Sequence, residues 1–237
     1  MNNPKKVIAF PDIHFGAHDD SALNLGLAFN KDWKADEVIL LGDVLETESI
    51  GRFASPYAQH TLEDEFDLAN DFLDKLSAKV VYLEGNHEYR LRDDRYVPQQ
   101  LQRCLSVSKN LHLNQRKIKF IPYRNDCWYK VGKMKFIHGF CCNMYAAKAE
   151  AETYGCVCHG HTHRIQSYQP RHAFHKNTGF NIGCLCKLDM DYQARDRARG
   201  WAQGFAFGYF FKSGNFSFYQ VRLIGNQFVI EGKEYKR

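Results

Sequence analysis

No stretch of this 237-residue chain approaches the ~20 consecutive apolar residues that cross a bilayer. The opening residues, MNNPKKVIAFPD, carry an apolar run of only four residues, 7–10, too short for the core of a secretory signal. A cytoplasmic location with no membrane partner is the expectation. Charge of one sign is also scarce: the formal net charge is +5 and the isoelectric point about 8.7. Such a balance tolerates an anionic partner without demanding one, and it excludes a dedicated nucleic-acid packaging protein. There are no internal repeats, low-complexity runs or Pro/Ser-rich linkers, so a single domain over residues 1–237 is expected. None of the eight cysteines falls in the C-x2-C spacing of a typical zinc site. Two C-x-C pairs occur instead, Cys156 with Cys158 and Cys184 with Cys186. Without an export signal these thiols are expected to be reduced and to pack as small hydrophobes on one face of a strand.

What is present is an ordinary globular composition, 44% hydrophobic and 25% charged, arranged as alternating strand and helix signals. Short apolar runs at 7–10, 38–41 and 80–83 read as buried strands. Between them, residues 21–33 predict a helix capped by Ser21, and residues 62–76 predict a longer amphipathic one built on Leu62, Phe66, Ala69, Phe72, Leu73 and Leu76. Repeated β-α-β units with continuous apolar strands imply a buried, largely parallel sheet. The second half is richer in strand signals, at 117–121, 128–131, 135–138, 205–211, 216–223 and 228–231, with a helix over 144–153 and a strand ending at His159-Gly160. Two packed β layers with helices outside are expected.

The polar residues after the strands share a chemistry. Asp12-Ile13-His14 follows the first strand, Gly42-Asp43 the second and Gly85-Asn86-His87-Glu88 the third. His138-Gly139 and Gly160-His161-Thr162-His163 follow strands of the second half. Function in open α/β sheets gathers outside the carboxyl ends of the strands, so these five clusters are expected to meet. Carboxylate, imidazole and amide oxygen suit Mn, Fe, Zn, Ni or Mg ions. Asp12, His14, Asp43, Asn86, His138, His161 and His163 make seven donors, too many for one ion of ordinary coordination and enough for two that share a carboxylate. Two cations side by side need an anion between them, which Asp43 and a shared hydroxide would supply.

In their order and spacing these five blocks resemble the signature of the calcineurin-like metallophosphoesterase superfamily: D-x-H, G-D, G-N-H-E/D, a single H, and G-H-x-H. The resemblance spans residues 7 to about 165, and the compact layout with the GNHEYR loop looks most like phage or bacterial members. It implies an α/β fold, a four-layer αββα sandwich of two mixed sheets flanked by helices. It further implies that Asp12, His14 and His163 hold one metal, that Asn86, His138 and His161 hold a second, and that Asp43 bridges them. The cofactors would be two divalent ions, manganese first among the candidates. A hydroxide between them would attack phosphorus in line, and His87, not a ligand, would assist the leaving oxygen. Glu46, three residues after Asp43, is the residue expected to orient His87, although the family more often has Asp there. The second block reads GDVLETE where protein Ser/Thr phosphatases of the family read G-D-x-x-D-R-G. That departure weakens a protein-phosphatase reading. A phosphate-ester substrate is implied, with phosphodiesters and nucleic acid favoured by the basic balance. A phosphomonoesterase and a non-catalytic scaffold of the same fold are the alternatives.

Other residues have plainer readings. Arg52, in the loop after Asp43, is a candidate phosphate clamp or an ion-pair partner of Glu48. Arg90, Arg92 and Arg95 stand among Asp93, Asp94 and Glu88, which favours a salt-bridged surface. Arg195, Arg197 and Arg199 have a single acid among them. His18, His60, His112, His159, His172 and His175 fit no block. The aromatic runs FAFGYFF and FSFY suit the core better than base stacking.

Overall fold

A computed structural model describes residues 3–50, 60–171, 177–189 and 200–237. Thirteen strands and six α-helices are defined among them. They are β1 (Lys5–Phe10), α1 (Asp20–Trp33), β2 (Glu37–Leu40), α2 (Leu62–Asp74), β3 (Lys79–Leu83), α3 (Asn86–Tyr89), α4 (Gln99–Gln102) and α5 (Val107–Asn110) in the first half. In the second half come β4 (Lys119–Ile121), β5 (Tyr129–Val131), β6 (Met134–Phe136), α6 (Ala146–Tyr154), β7 (Val157–His159), β8 (Ile165–Tyr168) and β9 (Gly179–Ile182). The chain closes with β10 (Gly204–Phe210), β11 (Phe216–Arg222), β12 (Gln227–Ile230) and β13 (Lys233–Lys236).

Six strands form one mixed sheet in the order β11-β10-β1-β2-β3-β4, and five form a second in the order β5-β6-β7-β9-β8. β1 to β4 run parallel, β10 and β11 antiparallel to their neighbours. In the second sheet β6, β7 and β9 run parallel between two antiparallel edge strands. The strand alternation sorts side chains between two cores. Val7, Ala9, Ile39, Leu41, Val81 and Leu83 pack against Tyr129, Met134, Phe136, Cys158 and Ile182 between the sheets. Ile8, Phe10, Val38, Leu40, Val80 and Tyr82 pack with Phe29 of α1 and Phe72 of α2 on the outer side. α6 covers the far side of the second sheet through Ala151 and Tyr154. The result is the expected four-layer arrangement, helix, sheet, sheet, helix.

Several local expectations are refined. Asp19, not Ser21, caps α1, its carboxylate accepting from the Ala22 amide at 2.9 Å. α2 starts in a reciprocal capping box of Thr61 and Asp64, which sets its first turn. Most of the aromatic runs pack as core, with Phe205 and Phe207 on Phe29 and Phe210 and Phe218 on Phe136, while Phe211 and Tyr219 are exposed. β8, β9 and β13 have no counterpart among the strand signals read above.

The topology brings the site together. Because β1, β2 and β3 run the same way, their carboxyl ends lie along one edge of the first sheet, and β6 and β7 do the same in the second. The loop after β2 then folds back along the loop after β1, with Phe15 N–H donating to Val44 O at 2.7 Å and Glu46 N–H donating to Phe15 O at 3.3 Å.

Candidate metal centre

All seven expected donors meet at this shared edge. Asp12, His14, Asp43, His138 and His163 are almost completely buried. His163 Nε2 lies 3.3 Å from Asp12 Oδ1 and 3.2 Å from His14 Nε2. His138 Nε2 lies 2.9 Å from Asn86 Oδ1 and 3.2 Å from His161 Nδ1. Asp43 Oδ2 stands between the two groups, 3.3 Å from His138 Nε2 and 3.8 Å from His14 Nε2. Bonds of about 2.0–2.1 Å to a tetrahedral ion put its donors about 3.3–3.4 Å apart, so these spacings suit metal ligation. The donor set is thus compatible with metal ions, with one carboxylate placed to face both halves.

The outer nitrogen of each histidine is occupied. A ligating imidazole needs its other ring nitrogen held, because that fixes the tautomer and aims the lone pair. His14 Nδ1 is 2.5 Å from Glu46 Oε2, and His138 Nδ1 is 2.7 Å from the Leu41 carbonyl. His163 Nδ1 faces Cys186 Sγ at 3.7 Å, and His161 Nε2 faces Cys142 Sγ at 2.9 Å. Four rings therefore turn a free nitrogen inward.

The backbone is contorted to the same end. Asp12, His14, Asp43, His161 and His163 all have positive φ, between 40° and 71°. This conformation occurs in only a few per cent of non-glycine residues. Its concentration in five of the seven donors marks the cluster as built for something other than stability. Two neighbouring glycines are required by closeness alone. A Cβ at Gly85 would collide with the Asp43 carboxylate, and one at Gly160 with that of Asp12.

Glu88, the last residue of the GNHE block, reads in the sequence only as a motif letter or an arginine partner. It instead ties the second and third blocks together. Its Oε1 accepts from Val44 N (2.6 Å), Leu45 N (2.9 Å) and the Tyr82 hydroxyl (3.0 Å), and its Oε2 from Asp43 N (3.0 Å) and Gly85 N (2.8 Å). Nothing in the spacing of GNHE announces that clamp.

His87 lies beside the cluster on α3. Its Nδ1 is 2.5 Å from the Glu46 carbonyl oxygen, its backbone N–H donates to Asp43 Oδ1 at 2.9 Å, and its Nε2 is 3.9 Å from Asp43 Oδ2. Since a carbonyl only accepts, the neutral ring carries its proton on Nδ1 and leaves Nε2 bare. The expectation for Glu46 needs correcting. Its carboxylate holds His14, standing 3.8 Å from His87 Nδ1, and it reaches His87 through its backbone carbonyl. The physical reason is the fold-back of the β2 loop, which lays Glu46 alongside residues 14 and 15.

Among the arginines, Arg92 pairs with Glu84 (2.6 Å) and Arg95 with Asp93 (2.5 Å). Arg90 makes no ion pair among the described residues; its Nη1 donates to Thr47 Oγ1 at 3.4 Å and lies 3.5 Å from the Glu46 carbonyl, the acceptor that also holds His87 Nδ1. Arg52, Arg195, Arg197, Arg199, His172 and His175 lie outside the described residues. His18, His60, His112 and His159 join none of the His/Cys/Asp/Glu groups able to hold a metal among the described residues.

The electrostatics divide the histidines. Burial pulls His14 down, yet the Glu46 carboxylate, with Asp43 and Asp12, lifts it to about 10. Burial likewise opposes His138, which Asp43 raises to about 9. His87 and His161 are pushed down to about 4, chiefly by burial, with cationic neighbours adding to it. Burial works against ionisation of Asp43, but His138 and His87 hold its carboxyl well below the usual range.

No family model and no curated protein matches the chain. Solved structures do resemble it. Yfce, a phosphoesterase from E. coli, is 15% identical over 85% of this chain and 87% of its own, with a TM-score of 0.43. Vacuolar Protein Sorting 29 from Cryptosporidium parvum is 11% identical over 94% and 99%, at 0.48. TT1561 of Thermus thermophilus is 9% identical over 92% and 99%, at 0.41. These likenesses are loose, and the chemistry open to the site is that of its own buried His/Asp cluster.

Proposed function

We propose that this protein is a metal-dependent phosphoester hydrolase with a dinuclear centre. One observation carries the reading: seven donors from five strand ends gather into two groups with Asp43 between them, and every histidine among them has its outer nitrogen held. Asp12, His14 and His163 would hold one ion, and Asn86, His138 and His161 the other, with Asp43 shared. Manganese is the first candidate, although the donor set suits Fe, Zn, Ni or Mg as well. Divalent ions held there supply positive charge for a phosphoryl group and make a water acidic enough to serve as nucleophile near neutral pH.

The remaining roles belong to the protein. His87 turns Nε2 toward the cluster while the Glu46 carbonyl anchors Nδ1. Its low intrinsic basicity keeps it neutral when the site is bare, and an anionic phosphoryl group favours the protonated ring. That ring can deliver the proton from Nε2 to the departing oxygen. Arg90, without a carboxylate partner among the described residues, places a guanidinium beside His87, near enough to pair with the phosphate of a bound ester. Glu46 serves both sides, its carboxylate fixing His14 and its carbonyl fixing His87.

The substrate class favoured is a phosphodiester, nucleic acid included, in keeping with the net charge of +5; a phosphomonoester is the alternative. The test is turnover of chromogenic phosphodiester and phosphomonoester substrates with Mn2+, with chelator, and in His87→Ala. Turnover needing both metal and His87 supports the proposal, and the ratio of rates assigns the ester class. Turnover indifferent to chelation or to His87→Ala defeats it. Two tightly bound ions with no turnover on either ester would favour the scaffold.

A further inference from the structure

We infer that Cys142 is a positioning residue for the second ion, acting through the outer nitrogen of His161. The inference rests on the metal-centre reading above and assigns a part to a thiol that no sequence block includes. Cys142 sits four residues after His138, in the loop leaving β6, so the same loop carries a donor and the support of another donor.

The geometry argues against the simplest alternative, that the sulfur is itself a ligand. His161 presents Nδ1 to His138 Nε2 at 3.2 Å, on the side of Asn86 and Asp43. Cys142 Sγ lies on the opposite edge of the ring, 2.9 Å from Nε2. An imidazole bound to a metal through Nδ1 carries its proton on Nε2, and that N–H has Sγ as its acceptor. His161 is also the most solvent-accessible of the four ligand histidines, half-buried where the others are buried. Its ring has less packing to hold it, so the sulfur contact matters more there than at His14 or His138. Cys186 stands in the same relation to His163, but it is buried and its contact is longer, at 3.7 Å. Cys142 is exposed.

Removing a partner of this kind typically weakens metal binding 10- to 100-fold. The expected pattern is therefore selective. Cys142→Ala should loosen one of the two ions about 10- to 100-fold and leave the other unchanged. Cys142→Ser keeps an acceptor in place and should restore affinity to within about threefold of wild type. The melting temperature without metal should be the same in all three proteins, because an exposed thiol adds little to packing.

The experiment is calorimetric titration of the metal-free full chain and both variants with Mn2+, repeated with Co2+ under an absorption spectrometer. Weakening of one of the two ions about 10- to 100-fold in Cys142→Ala with the other unchanged, and rescue by Cys142→Ser, supports the inference. Wild-type affinity for both ions in Cys142→Ala overturns it. So does a sulfur-to-cobalt charge-transfer band present in wild type and missing in Cys142→Ala, since the thiol would then be a ligand. Failure of the wild-type chain to bind any divalent ion is a different result, which removes the metal centre and this inference together.

Discussion

Replacing Glu88 with glutamine exchanges one oxygen for an NH2 and should disable the centre without touching a donor. The buried carboxylate accepts five hydrogen bonds, three at Oε1 and two at Oε2. In the better of its two orientations, the glutamine amide keeps its oxygen toward Val44, Leu45 and Tyr82. Its NH2 then faces the amides of Asp43 and Gly85, donor against donor. Each buried donor left unpaired costs about 1–3 kcal/mol, so the substitution should destabilise the fold by about 2–6 kcal/mol. That is a large part of the 5–15 kcal/mol that typically separates folded from unfolded domains. The two amides that lose their acceptor are those of Asp43 itself and of Gly85, next to Asn86. Metal affinity should fall with stability, because the Asp43 carboxylate and the Asn86 oxygen hang on the displaced backbone. Urea unfolding followed by tryptophan fluorescence measures the first effect, and Mn2+ titration of the folded variant the second. A variant as stable as wild type that binds both ions equally well would refute the clamp.

Three other substitutions test separate parts of the structure. Glu37 on β2 is buried and accepts from Lys5 (2.8 Å) and the Tyr129 hydroxyl (2.7 Å), with Lys79 at 3.1 Å; burial opposes its ionisation, but these partners hold its pKa below the usual value. Its contribution is therefore present above about pH 4.5 and lost as pH falls through the lowered value, so Glu37→Gln should lose about 1–2 kcal/mol at pH 7 and progressively less in acid, read by thermal melts across pH. Glu65 has the opposite sign: burial raises it to about 8, against the Thr47 amide that donates to it at 2.7 Å. Between about pH 4.5 and 8 the folded state holds a proton that the unfolded chain has released, so wild type should lose stability as pH rises through that window and Glu65→Gln should not. Arg90→Met should raise KM for a phosphoester about tenfold with a smaller change in kcat, measured by steady-state kinetics, if the guanidinium binds ground-state phosphate.

The donors were legible because each strand is a short apolar run and the residue types after it are few and repeated. Parallel pairing of β1 to β3 and of β6 with β7 turned that sequence regularity into convergence. What escapes a reading of the sequence depends on contacts between loops. The family resemblance pairs Glu46 with His87, and nothing in the sequence shows that the β2 loop folds back to lay the carboxylate on His14. Glu88 reads as one more acid beside three arginines until the amides of residues 43–45 are seen turned toward it. The C-x-C spacing draws attention to four other thiols and misses Cys142 altogether; its place four residues after His138 is the available signal. β8, with the polar sequence IQSY, is an edge strand open to water, and β9 is short and begins at Gly179, so neither carries the apolar run that marks a buried strand.

The left-handed backbone at Asp12, His14, Asp43, His161 and His163 has an evolutionary consequence. Each such residue costs the fold about 1–2 kcal/mol relative to a relaxed conformation, a burden glycine would not carry. At these positions glycine should thus give a more stable protein than alanine, and drift that favoured stability alone would erode the donors one at a time. Most substitutions that a lineage explores are filtered by whether the chain still folds. Here that filter points the wrong way. The presence of all five strained donors in one cluster fits a use for those side chains that is met at the expense of how tightly the chain is held.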